Sequence, residues 1–292
     1  MQLIQQGDYI AIKFRAMANP CEVLIETDSR KQARRLGKIA RDEAQRIERK
    51  FSRYIENNPV YKINHSDGKP VEVDLETARL LDFADQCYQL SDELFDITSG
   101  ALRQVWLFDG SDNIPLASDV EAVLPYIGWR KISWQAPHLV LPQGMQLDFG
   151  GIGKEYAVDR VVGLLREASD LPFLVNFGGD LHASKAPSLQ SAWSVGIEAM
   201  RKTGMAVKTI ELKRGALTTS GDARRFLKKD GIRYGHVLHP KTGWPVADAP
   251  ASVTVAGNSC TESGILSTLA LLHGANAESY LESNEVVYWC QR

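Results

Sequence analysis

Apolar and polar residues alternate loosely from Tyr9 to Ala16, and again through the run CEVLIE over residues 21–26. A period of two marks a strand with one buried face. Met17-Ala-Asn-Pro20 separates the runs, which predicts a strand pair joined through that segment. The period then lengthens. Ala33, Leu36, Ile39, Ala40, Ala44 and Ile47 recur at helical spacing, and Ser29 stands where an N-cap is wanted, predicting a long helix to about Tyr54. Residues 75–90 predict a second helix, with Ala78, Leu81, Phe83, Ala84 and Tyr88 on or near one face. Residues 155–167 predict a third, striped by Ala157, Val158, Val161, Val162 and Leu165.

Between the second and third helices, residues 110–129 mix loop and short helix, with an amphipathic stretch at 119–124. Short apolar runs at 139–141 and 145–149 are strand candidates, as are 173–177, 192–198, 206–212, 251–255 and 286–289. Helices are expected at about 262–272 and 275–282. Strands and helices mix without strict β-α-β alternation, and no repeat, low-complexity segment or linker divides them. The pattern predicts an α+β fold, one compact layered unit over residues 1–292, with a division into two lobes left open.

Composition narrows the function classes. A chain of 292 residues can bury a sizeable core in one large domain or two small ones. The net charge of −2 lacks the basic excess of a nucleic-acid binder. The basic residues of the first long helix are interleaved with Asp42, Glu43 and Glu48, as on a solvated face. Cys21, Cys87, Cys260 and Cys290 form no Cys-x-x-Cys pair, so free buried thiols are expected rather than a zinc ribbon or redox pair. The start of the chain shows no basic segment followed by an apolar run, and no run reaches the length of a membrane span. The expectation is a soluble protein without a membrane segment, cytoplasmic as the sequence stands, or periplasmic if a leader was removed.

Two glycine-rich stretches carry candidate chemistry. In Asp148-Phe-Gly-Gly-Ile-Gly-Lys-Glu-Tyr-Ala-Val-Asp159 a strand ends, glycines turn the chain and a helix starts. Such a turn presents backbone N–H groups and a positive helix end to a phosphate. Glycines also serve plain tight turns, and the stretch matches neither a Walker motif nor Gly-x-Gly-x-x-Gly. The second stretch, Asn176-Phe-Gly-Gly-Asp180, follows a buried strand, and Asp180 suits either a site or the bracing of a turn.

These stretches belong to an ordered set. Met17-Ala-Asn-Pro20, Phe95-Asp-Ile-Thr98 with Gly100, residues 148–159, residues 176–180, Thr219-Ser-Gly-Asp222 with Arg225, and His236-Val-Leu-His-Pro-Lys-Thr-Gly243 follow one another. Together they resemble the successive motifs of the FAD:protein FMN transferase (ApbE) family, across nearly the whole chain. The resemblance implies FAD as substrate, Mg²⁺ as metal, and transfer of FMN to a Ser or Thr hydroxyl of a target flavoprotein with release of AMP. FAD hydrolysis and flavin binding without turnover are the alternatives. By resemblance Met17, Tyr54, Phe95, Asp96 and Ile97 contact the flavin or adenosine parts, and Gly150, Gly151 and Lys154 face the pyrophosphate. Tyr156, Asp180, Ser220, Asp222 and Leu238 complete the expected FAD-binding set. Gly153, through its carbonyl, and Thr268 are the implied metal ligands, and His236 the implied general base. Asp96 reads equally as a cap near Thr98, Tyr54 as a core aromatic, Lys154 as a solvated lysine, and His236 as a structural histidine. Asp222 and Arg225 either orient the phosphate or pair with each other.

The chain departs from the family at several positions. Its last motif reads Glu262-Ser-Gly-Ile-Leu-Ser-Thr-Leu269, which keeps Thr268 but has Gly264 where the family has a metal-binding Asp. Glu262 lies two residues earlier, on another helical face. Loss of a hard oxygen ligand is expected to weaken Mg²⁺ binding by about tenfold or more, and Gly264→Asp to lower the Mg²⁺ requirement unless His239, or an acid from elsewhere such as Asp180 or Asp222, already fills that space. The opening motif is Met17-Ala18-Asn19, Glu155 replaces a common Gly, and His239 replaces an Asp.

Overall fold

Residues 1–199, 205–222 and 226–292 are described by the computed structural model, which starts with a three-stranded meander. Strands β1 (Gln2–Gln6), β2 (Tyr9–Ala16) and β3 (Asn19–Glu26) are followed by helices α1 (Arg30–Phe51) and α2 (Pro59–Asn64). Strand β4 (Pro70–Glu72), helices α3 (Leu75–Leu90) and α4 (Ala117–Val123), and strands β5 (Ser133–Gln135) and β6 (His138–Val140) come next. Helix α5 (Gly153–Ala168) leads into β7 (Phe173–Phe177) and β8 (Asp180–Ala183). Then follow β9 (Trp193–Glu198), β10 (Ala206–Leu212), β11 (Gly215–Gly221), β12 (Phe226–Lys229) and β13 (Ile232–Gly235). The chain ends with β14 (Ser252–Gly257), α6 (Cys260–Leu272), α7 (Ala277–Ser283) and β15 (Val287–Gln291).

The main sheet has the order β1-β2-β3-β7-β8-β11-β14-β15, antiparallel at every pairing. It draws strands from both ends of the chain. In β3 the inward positions Cys21, Val23 and Ile25 are buried, as the alternation predicts. Helices α1, α5 and α6 pack on one face. Helix α1 follows the predicted stripe, with Ser29 Oγ accepting from the Gln32 amide as N-cap. Gly37 lets α1 lie close on β2, because a Cβ there would stand 2.6 Å from Ile12 Cγ2. On the opposite face Leu174, Leu181 and Leu217 pack against Trp193 and Val195 of the β9–β10 hairpin. The result is the expected layered α+β arrangement. A separate cluster around Trp106, with Leu102, Val120 and Leu227, anchors the segment after α3.

Some elements differ from expectation. Residues 145–149 form no strand, because their amides bond elsewhere: Leu147 N to Asn64 Oδ1 and Asp148 N to Ile97 O. Helix α1 ends at Phe51, so Tyr54 lies beyond it. The sequence pattern does not mark strands β1, β4, β5, β8, β11, β12 and β13, β1 for its glutamines and β11 for its small and hydroxyl side chains. All four cysteines are free, three of them buried, and burial pushes the Cys87 thiol up to about 12. Among the described residues no helix is long and apolar enough to cross a membrane.

An ionic network ties α1 to α3 and α5. Arg46 bridges Glu43 at 2.8 Å and Glu76 at 2.6 Å, and Lys50 bonds Glu76 and Asp74. The Arg46 hydrogen bond leads in lowering the Glu76 carboxyl from 4.5 to about 2, against the opposing effect of burial. A lowered folded pKa gives stability that is complete above the unfolded value and is lost as pH falls through the folded one. Glu76→Gln is therefore expected to lose about 1–2 kcal/mol at pH 7. The gap to the native protein should close as pH falls from 4.5 towards about 2. Urea titrations at several pH values check this; a constant gap would remove the charge from the explanation.

Candidate active site

A cavity of about 1680 Å³ opens where the β2–β3 turn, the β7–β8 turn, the start of α5 and the ends of β11 and α6 converge. It is larger than the few hundred to about 1,000 Å³ of ordinary ligand pockets. Met17 and Ala18 turn β2 into β3, both with left-handed backbone (φ 51° and 58°). Asn19 Nδ2 closes the turn by donating to Met17 O at 2.6 Å. The Asn19 carboxamide also lies over Gly178 of the β7–β8 turn, where a Cβ would come within 2.9 Å of it. Gly178 thus serves both a positive φ of 62° and a close approach. Two expected motifs are pressed together in this way, and Met17 faces the cavity.

A second ledge comes from the segments at 95–100 and 148–151. Asp148 N donates to Ile97 O at 2.8 Å, and the Phe95 ring lies over Gly151. Arg53 clamps the ledge, donating to Gly100 O at 2.7 Å and to Gln146 Oε1 at 2.5 Å. Gly100 has no room for a Cβ, which would stand 2.5 Å from Asp148 Cβ. Phe95, Ile97, Gly150 and Gly151 all line the cavity. Tyr54 stands at its edge, 79% exposed beneath the Arg53 guanidinium, so it is no core aromatic. Asp96 also borders the cavity, but its oxygens are engaged. Oδ1 accepts from Thr98 N and Oγ1, and Oδ2 from Trp129 N. Both oxygens thus brace the local turn and the loop before Trp129. Burial holds its carboxyl above the usual range despite these bonds.

The third wall holds the charged groups. No side chain caps the start of α5. Lys154, in its first turn, faces the cavity and pairs with Asp180 Oδ2 at 2.5 Å. It is not a solvated surface lysine. Burial works against its charge, but Asp180 and Glu155 outweigh that and raise its pKa. Asp180 is 1% exposed and lies behind Lys154, with Oδ1 accepting from Thr219 N at 3.3 Å. Beside this pair Ser220 Oγ lies 2.8 Å from Ser267 Oγ and 2.9 Å from Thr268 Oγ1, joining β11 to α6. Gly153, Ser220, Thr268, Leu238 and His236 line the same space. His236 follows β13 directly, half-buried, with its ring edge-on to Phe108.

The family model of ApbE, described as the ApbE family, matches residues 13–289. The chain belongs to the ApbE family. It is 30% identical to a FAD:protein FMN transferase of Klebsiella pneumoniae, over 72% of this chain and 66% of that protein. It is 26% identical to a Vibrio cholerae protein of the same name, over 81% of this chain and 73% of the relative. Among solved structures, the ApbE protein of Thermotoga maritima superposes with a TM-score of 0.88 at 28% identity, covering 97% of this chain and 94% of that one. The apo flavinyl transferase ApbE of Pseudomonas stutzeri gives 0.84 at 27%, covering 99% and 92%.

Within this ApbE architecture three of the expected binding residues do not line the cavity: Asp180, which lies behind Lys154, and two that face elsewhere. Tyr156 lies on the far side of α5, its ring edge-on to Phe51 and its hydroxyl donating to Glu76 at 2.8 Å. Asp222 pairs with Arg233 at 2.7 Å and borders a separate cavity of about 430 Å³. Arg225 lies outside the described residues. His239 braces its own turn, with Nδ1 accepting from Lys241 N.

Three residues of this ApbE chain gain importance only in three dimensions. Arg53 is the clamp described above. Asp159 caps α6 by accepting from Cys260 N, Thr261 N and Thr261 Oγ1. With His182 and Cys260 it forms a group whose ligand-type atoms lie within 4.8 Å of one another. Asp159 is committed to the cap, however, and burial keeps the Cys260 thiol protonated, so the group reads as structural. Glu155 is the third. Its side chain crosses to α6 and lies over Gly264, where a Cβ would stand 2.6 Å from Glu155 Cγ. Glu155 is 9% exposed, and its Oε2 is buried without a hydrogen-bond partner. Burial, then the charge of Asp180, raises its carboxyl well above the usual range. The space over Gly264 is therefore filled by an acid from elsewhere, and it is Glu155 rather than His239, Asp180 or Asp222.

Proposed function

We propose that this chain transfers FMN from FAD to a Ser or Thr hydroxyl of an acceptor flavoprotein, releasing AMP. The observation that carries this reading is the convergence of widely separated motif segments on one cavity of dinucleotide size. The FAD:protein FMN transferase name of the Klebsiella and Vibrio relatives supports it.

The transfer needs positioning and charge neutralisation more than covalent help from the protein. The acceptor hydroxyl oxygen forms a bond to the FMN phosphorus, the bond from that phosphorus to the bridging oxygen breaks, and AMP leaves with the bridging oxygen. The hydroxyl proton passes to the His236 imidazole. Lys154 offers an ammonium beside the start of α5, and Gly150 and Gly151 let the backbone approach a pyrophosphate closely. Phe95, Ile97, Met17 and Tyr54 present apolar and aromatic surface to the ring systems. Oxygen donors at Gly153 and Thr268, with the unpartnered oxygen of Glu155 nearby, suit a hard cation such as Mg²⁺. When bound, such a cation would neutralise pyrophosphate charge.

The protein is expected to bind FAD in preference to NAD. With FAD and Mg²⁺ it should release AMP only when an acceptor is present, and the acceptor's mass should rise by one esterified FMN. AMP and free FMN without acceptor would assign hydrolysis instead. FAD binding with neither product would assign a carrier, and tight NAD binding without FAD affinity would remove the flavin reading altogether.

A further inference from the structure

The strongest unexplained feature is a buried acid with an idle oxygen. Glu155 sits in the first turn of α5, borders the cavity and is 9% exposed, yet its Oε2 has no hydrogen-bond partner. A buried polar oxygen without a partner is expensive, so its presence asks for a ligand. The neighbouring Asp180 also has an oxygen, Oδ2, without a hydrogen bond, but that charge is offset by the Lys154 ammonium at 2.5 Å and its Oδ1 accepts from the Thr219 amide.

The surroundings indicate which ligand. Glu155 Cγ occupies the place of a side chain on Gly264. Thr268 lies one helical turn beyond Gly264, on the same face of α6, and its hydroxyl meets that of Ser220 at 2.9 Å. Gly153, two residues before Glu155, opens α5 at the same wall. The donors gathered here are carboxylate, hydroxyl and carbonyl oxygens, a set that suits Mg²⁺ or Mn²⁺ rather than a soft metal.

We propose that Glu155 is the carboxylate ligand of a divalent cation in this protein, delivered from α5 into the space that Gly264 leaves open on α6. Glycine at 264 and glutamate at 155 are then one coupled feature. The glycine makes room for the glutamate, and the glutamate supplies the negative charge that α6 lacks. The proposal deepens the transfer reading by naming how this chain holds its metal.

Mn²⁺ binding to the purified full chain tests it, followed by electron paramagnetic resonance of free Mn²⁺ and by the rise in melting temperature on adding MnCl₂. Glu155→Gln keeps the shape and removes the charge. It is expected to weaken Mn²⁺ binding by about tenfold or more and to shrink the metal-induced melting shift, while the metal-free variant melts no lower than the native protein. Gly264→Asp alone should not tighten binding, since the new side chain meets Glu155. Glu155→Gly should bind weakly, and Glu155→Gly combined with Gly264→Asp should recover most of the loss, with the acid returned to α6. Unchanged Mn²⁺ affinity in Glu155→Gln would overturn the proposal, as would a double variant no better than Glu155→Gly. FAD binding and AMP release are measured on the native protein in parallel. Their absence, with Mn²⁺ binding still dependent on Glu155, would remove the transfer reading and leave the metal ligand standing.

Discussion

His236→Ala is expected to slow AMP release to an acceptor by roughly 10²–10⁴-fold while changing FAD affinity by no more than about threefold. The separation of the two effects follows from where the residue stands. His236 borders the cavity at the end of β13, on the chain segment that continues to Leu238 and the Leu238–Pro245 bridge. Apolar contacts with the rings of FAD fall instead to Phe95, Ile97, Met17 and Tyr54. A base that accepts the hydroxyl proton acts only as the new bond forms, so its removal is felt in the rate and little in substrate binding. Imidazoles titrate near neutrality, which suits a proton acceptor at ordinary pH. Single-turnover AMP release and FAD fluorescence titration on the same preparation separate the cases. An unchanged rate in a folded variant would make His236 structural. A large loss of FAD affinity with the rate at saturation preserved would make it a binding residue.

The sequence made the half-buried elements legible and left the others dark. Helix α3 is legible to its bounds and α5 to within two residues at its start, because one stripe of each is buried. Strand β3 was read because Cys21, Val23 and Ile25 alternate with partly exposed neighbours. Strand β11 was missed although it is central. Its Thr218, Thr219 and Ser220 look like a loop, and they lie in a strand because β8 and β14 supply its backbone partners. The same contrast holds at the site. Motif order was enough to gather Met17, Phe95, Gly151, Lys154, Ser220 and His236 around one space. Side-chain direction was not available, so Tyr156, two positions from Lys154 on α5, was placed in the site although it points to Glu76. Glu155 and Gly264 were both noted as departures. Only the packing of α5 on α6 shows that each explains the other.

Asp180→Ala is expected to lower stability by about 3–5 kcal/mol, the range for breaking a buried ion pair from one side. Two effects compete. Removing Asp180 relieves its repulsion of Glu155, the second largest cause of the raised Glu155 carboxyl after burial. It also leaves the Lys154 ammonium without its partner at 2.5 Å, and the Thr219 amide without its acceptor. The second effect should win, because the pair is held at 2.5 Å with Asp180 1% exposed, while the Lys154 side chain, 24% exposed on the cavity, regains only part of that stabilisation from water. Lys154 is still attracted by Glu155, which places Asp180→Ala towards the lower end of the range. Lys154→Met leaves Asp180 without its cation, and Glu155, whose carboxyl Lys154 no longer lowers, takes up a proton beside it, so this substitution should cost a comparable amount. Combining the two removes the opposed charges together, so the double variant should be more stable than the sum of the single losses predicts. Chemical denaturation of the four proteins gives the coupling directly. A loss below about 1 kcal/mol for Asp180→Ala, or strict additivity in the double variant, would show that the pair does not hold α5 against β8 and β11. The expected result has a functional side as well: Thr219 precedes Ser220, so losing the Asp180 brace should let the hydroxyl wall of the cavity shift and weaken FAD binding along with stability.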